Sequence, residues 1–89
     1  MNRLRILKQR IARAGDVAVC KLPDGYAVAT GRFQGDCSAS MTKRAAIHLA
    51  ARWARPSAPQ IMTIETNTQR TVIKLNPDGS NLLISVTNK

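Results

Sequence analysis

The chain has 89 residues, 44% of them hydrophobic and 3% aromatic, and fourteen Lys and Arg stand against five acids for a net charge of +9. A chain of this size is one domain that buries about 60–65% of the surface its unfolded form exposes, which excludes a deep enclosed site. No stretch approaches the ~20 apolar residues of a membrane span, so the expectation is a soluble protein with no membrane partner.

The opening MNRLRILKQR breaks its apolar residues with Arg and Lys and so lacks the continuous apolar core of a secretory signal, which points to the cytoplasm. From Asn2 to Ala14 the spacing predicts an amphipathic helix: Asn2 as N-cap, Leu4, Leu7, Ile11 and Ala14 on one face, and Gly15 where a C-terminal cap belongs. Arg3, Arg5, Lys8, Arg10 and Arg13 surround that face with no acid among them, which suits either phosphate or an acidic partner. A strand beginning near Leu4 is the alternative, because Arg3 to Ile6 also alternates.

Val17–Leu22 and Tyr26–Thr30 read as a hairpin around Pro23-Asp24-Gly25. Proline presets the first corner, aspartate bonds its own backbone, glycine tolerates positive φ, and Val17, Val19, Tyr26 and Val28 favour strands. Residues 31–36 read as a loop. A second helix is then expected over Ser38–Arg55, with Ser38 or Ser40 as N-cap and Pro56 and Pro59 ending it. At 100° per residue, Thr42, Ala45, Ala46, Leu49, Ala50 and Trp53 gather on a face to bury. Arg44, His48, Arg52 and Arg55 recur at i, i+4, i+8 and i+11 as a stripe on the far side, with Lys43 beside it and Ile47 exposed among the arginines. Such a stripe is a binding surface or simply a solvated face, and self-association through it is equally allowed.

The last third reads as three strands, Gln60–Asn67, Arg70–Asn76 and Asn81–Asn88, the second and third joined by Pro77-Asp78-Gly79. The expected fold is therefore α+β, with two helices packed on one face of an antiparallel sheet in the order α-β-β-α-β-β-β.

Chemistry is hard to build from these residues. His48 is the single histidine and lies on a charged helix face, the carboxylates do not cluster, and Gly31 and Gly35 stand alone rather than in a phosphate loop. Cys20 and Cys37 match no CxxC spacing and, with one histidine, supply too few soft ligands for a metal. They read as free thiols, or as a disulfide if the compartment oxidises. The expectation is a binding protein, not an enzyme, that needs neither cofactor nor metal.

The sequence pI near 10.9 puts nucleic acid first among partners. With Tyr26, Phe33 and Trp53 the only aromatics, base-stacking readout of a single strand is poorly supplied, and duplex binding through backbone phosphates is favoured.

Two resemblances bear on the reading. Ser40-Met41-Thr42-Lys43-Arg44-Ala45-Ala46 looks like the start of the last helix of double-stranded-RNA-binding domains, but that family places three strands before the helix, so no residue is carried over. The hairpin half Tyr26–Gly31, the small-residue loop Asp36–Ser40, the alanine-rich run Ala45–Trp53 and Pro56 are together similar in layout to small phage-encoded anti-CRISPR proteins. That resemblance implies a non-enzymatic inhibitor in the host cytoplasm that occupies a surface of a nucleoprotein complex or another host protein, with Arg44, Ile47, His48 and Arg52 as contacts. The positive charge departs from the acidic, DNA-mimicking members of that group.

Overall fold

In the computed structural model, which describes residues 10–30 and 37–89, the chain from Arg10 to Ala14 is a strand, β1. It is followed by β2 (Val17–Leu22) and β3 (Gly25–Thr30), and the three form an antiparallel sheet in the order β1-β2-β3. The end of the helix expected over Asn2–Ala14 is thus replaced by extended chain; its earlier part, with Arg3, Arg5 and Lys8, lies outside the described residues. The reason is an ambiguity of period. Ile11 and Ala14 suit a helix face, but Ala12 and Ala14 equally suit one face of a strand, and they are buried while Arg13 between them is exposed. Gly15 has φ +58, which a helix C-cap and a hairpin turn both want. Here Ala14 lies opposite Val17, so Gly15–Asp16 is a two-residue turn, and the valines of β2 supply the ladder.

The β2–β3 hairpin forms where expected, with Leu22 opposite Gly25 across Pro23–Asp24. Gly25 serves another purpose than positive φ: a Cβ there would lie 2.7 Å from both the Met41 carbonyl oxygen and Ser40 Oγ. The free edge of β3 is covered by residues 37–41, through bridges from Ala29 to Cys37 and from Tyr26 to Met41. Ser38 and Ser40 belong to this cover and not to a helix cap. The helix, α1, runs over Lys43–Ala54 with Thr42 as N-cap, its Oγ1 accepting the Ala45 N–H at 3.2 Å. Arg55 closes it in the left-handed region at φ 35, its N–H on the Ala51 carbonyl, and Pro56 follows.

The second sheet is the expected meander, β4 (Gln60–Glu65), β5 (Gln69–Leu75) and β6 (Asn81–Asn88), in the order β4-β5-β6. Strand β1 lies beside β4, and α1 packs on β2 and β3 while reaching β6, so the helix sits between the two sheets. The architecture among the described residues is therefore mostly β, with one helix and two three-stranded sheets. It is not a pair of helices on one sheet in the order α-β-β-α-β-β-β.

That arrangement turns the helix's buried face. Ala46, Ile47, Ala50 and Ala51 are buried, Leu49 and Trp53 are half-buried, and Thr42 and Ala45 are exposed. A single sheet would have left Ile47 and Ala51 outside; here both belong to a core to which the two sheets contribute. Three of the four buried positions are alanine, which lets helix and strands approach closely. The main core joins them to Val17, Val19, Val28, Met62, Ile64, Ile73 and Leu75, and a smaller cluster of Ala18, Cys20, Leu22 and Ala27 lies on the other face of the first sheet. No helix among the described residues is long and apolar enough to cross a membrane.

Candidate binding surface along α1 and β6

With Ile47 and Ala51 turned inward, the basic stripe of α1 comes to lie beside the second sheet. Arg44, His48, Arg52 and Arg55 are all exposed, as the helical spacing predicts. His48 Nδ1 meets the Asn81 side-chain amide at 3.1 Å, where β6 begins. Arg52 and Arg55 flank the Asn76–Ser80 turn so closely that a Cβ on Gly79 would lie 3.2 Å from Arg55 Nε. Arg55 also helps to hold the Asp78 carboxyl below its usual range, after the larger effect of hydrogen bonds from Ser80. The stripe therefore runs along a seam between helix and sheet.

Ion pairing leaves most of this charge uncompensated. The ion pairs among the described residues both use Glu65, which takes Arg70 Nε and Lys89 Nζ at 2.8 Å each. Those contacts, with the Lys89 hydrogen bond foremost, pull the Glu65 carboxyl down to about 2. Arg44 and Arg52 have no ion pair there. Lys43 is different from its neighbours: its ammonium donates to Gln69 Oε1 at 2.6 Å and to Thr71 Oγ1, and burial lowers its pKa. It ties the helix to β5 and satisfies the buried Thr71 hydroxyl, so it is a structural tether and not a free cation.

Beside the stripe opens a groove of about 420 Å³, lined by Arg44, Ile47, His48, Ile73, Leu83 and Val86 among others. Ile47, expected to be exposed, forms part of its floor and is only 8% accessible. A second, more open cleft of about 690 Å³ lies between the sheets, with Arg10, Lys21, Tyr26 and Lys89 on its walls. Lys21 sits 5.0 Å above the Tyr26 ring and donates to the Leu22 carbonyl, so it too is engaged. Arg10 and Arg13 are exposed on β1, and Arg13 Nε donates to the Gly15 carbonyl at 2.8 Å.

The residues for chemistry stay apart. No three His, Cys, Asp or Glu side chains among the described residues are grouped to hold a metal ion. Cys20 and Cys37 are free, and burial, reinforced by Cys37, pushes the Cys20 thiol up to about 11, the opposite of an activated nucleophile.

The feature that residue spacing did not reveal is the exposure of β6, whose range it did predict. Leu82, Leu83, Ile84 and Val86 are about half exposed or more, as is Ile61 on β4. The run Leu82-Leu83-Ile84-Ser85-Val86 does not alternate between apolar and polar residues, so its pattern marks no single face for solvent. Comparisons of the chain with protein-family models, curated proteins and solved structures gave no match.

Proposed function

We propose that the protein binds duplex nucleic acid through backbone phosphates, with Arg44, Arg52 and Arg55 as the principal contacts and His48 beside them. The observation that carries this reading is a single line of exposed cations on one helix in which Arg44 and Arg52 have no ion pair among the described residues. From Arg44 to Arg55 the line is about 16 Å long, which spans several phosphates of a duplex carrying one charge per ~1.7 Å of axis. Arg10 and Arg13 add exposed charge on β1. The Arg-to-phosphate contact needs no cofactor and no bond-making, in keeping with the scattered titratable groups.

Fluorescence anisotropy with labelled duplex DNA, duplex RNA and a single strand, from about 50 to 200 mM salt, tests the reading. Binding that falls steeply with salt, with the slope reduced by about 2 when Arg44 and Arg52 are both changed to alanine, is the expected result. An absence of binding at the lowest salt rules it out. Affinity for a protein complex that persists at high salt would support surface occupation of that complex instead.

A further inference from the structure

We propose that β6 is a dimer seam, along which a second copy of this chain adds its own β6 antiparallel and joins the two second sheets into one. The first observation is the edge itself. Strand β3 has its outer edge covered by residues 37–41, whereas β6 pairs with β5 on one side and with nothing among the described residues on the other. A strand of 8 residues without Lys, Arg or Pro, uncovered among the described residues, offers a row of N–H and C=O groups with little to deter a partner.

The second observation concerns the two faces of the strand. Opposite the buried Thr71, Ile73 and Leu75 of β5 stand Val86, Leu83 and Asn81, so these point inward, as does Asn88 opposite Gln69. Leu82, Ser85 and Thr87 stand opposite Lys74, Val72 and Arg70 and point outward. The ladder slips between Val72 and Ile73, leaving Ile84 as an extra residue that joins the outer set. Inward positions 81, 83, 86 and 88, and outward positions 82, 84, 85 and 87, each map onto themselves when the strand is reversed about the point between Ile84 and Ser85. A second β6 in that register sets Leu83 against the partner's Val86 on one face and Ile84 against the partner's Ser85 on the other.

The third observation is chemical. In a chain of net charge +9, β6 carries no charged residue, so two copies meeting along it bring no cation of the strand itself into contact. Leu82, Leu83, Ile84 and Val86 expose on the order of 400 Å² per copy, about half of the ~800 Å² each partner gives to a standard interface and close to the usual apolar share. The two-fold axis of such a pair is perpendicular to the joined sheet, so both α1 stripes fall on the same side of it.

Analytical ultracentrifugation across salt concentrations tests the seam. Because two highly basic chains repel, the dimer should tighten, by about three-fold or more between about 50 and 500 mM salt. The double variant Leu82→Lys, Ile84→Lys should be monomeric with an unchanged thermal melt, while Ile61→Lys, on the same outer face but on β4, two strands away from β6, should remain dimeric. A monomer at every salt concentration overturns the proposal. So does a dimer that survives the double variant, or one lost equally with Ile61→Lys, which would indicate stacking of sheet faces. None of these readouts involves nucleic acid, so the outcome is separate from that of the phosphate-binding reading.

Discussion

Ser38 binds Val28 twice: its N–H donates to the Val28 carbonyl at 2.9 Å, and its Oγ accepts the Val28 N–H at 2.8 Å. The pair fastens residues 37–41 to the edge of β3 and satisfies both backbone groups of a residue that is fully buried. Ser38→Ala leaves the Val28 N–H without its acceptor and should cost about 1–3 kcal/mol in urea unfolding. Ser40, whose hydroxyl donates to the exposed Asp24 carboxylate, gives the control: Ser40→Ala should stay within about 0.5 kcal/mol.

Gly15 and Gly25 both sit in hairpins and should fail for opposite reasons. Gly15 has φ +58 with nothing within 4 Å of an added Cβ, so its constraint is conformational. Gly15→Ala should cost about 1–2 kcal/mol, and Gly15→Asn should recover most of that, because asparagine accepts the left-handed region. At Gly25 the constraint is space, since a Cβ would meet the Met41 carbonyl oxygen at 2.7 Å and the segment carrying it must move. Gly25→Ala should therefore cost about 2 kcal/mol or more, with no recovery in Gly25→Asn. Paired denaturant curves distinguish the two patterns.

These positions also show what sequence can and cannot carry. The β2–β3 hairpin and the last three strands were legible because turn residues and β-branched runs act locally. Arg10–Ala14 was not, since Ala12, Ile11 and Ala14 fit two periods and Gly15 fits two kinds of ending; only pairing with β2 decides between them. The helix stripe Arg44, His48, Arg52 and Arg55 follows from spacing alone. The burial of Ile47 depends on a second sheet arriving from Gln60 onward, and the exposure of Leu83 depends on β6 being an edge. Both are long-range facts that no local window contains.

Glu65 gives the fold an acid-sensitive contact. Its folded-state pKa of about 2 lies below the ordinary 4.5, chiefly through the hydrogen bonds from Lys89 and Arg70. A depressed carboxylate contributes stability above its unfolded pKa and loses that contribution as pH falls towards the folded value. The window is thus from about pH 4.5 down to about pH 2. Because the group is at the surface, the effect should be modest and shrink in high salt. Glu65→Gln should flatten the thermal midpoint against pH across that window, and a slope identical to the parent's would show that the contacts with Lys89 and Arg70 contribute nothing.

Ile47 and Arg44 lie three residues apart on α1 and line the same groove, yet substitutions there should separate stability from binding. Ile47 belongs to the main core, and an aspartate in its place would put a carboxylate against Ile73 and the floor of the groove. Ile47→Asp should therefore destabilise by about 4 kcal/mol, and any loss of binding it shows should track loss of fold. Arg44 is exposed and has no ion pair among the described residues, so Arg44→Ala should leave the stability within about 0.5 kcal/mol of the parent. Its effect should appear instead as a reduction of about 1 in the log–log salt slope for duplex binding. Unfolding curves and anisotropy titrations on the same two proteins check both halves. If Arg44→Ala left the slope unchanged while remaining folded, the phosphate-contacting line would have to begin further along the helix, at Arg52 and Arg55.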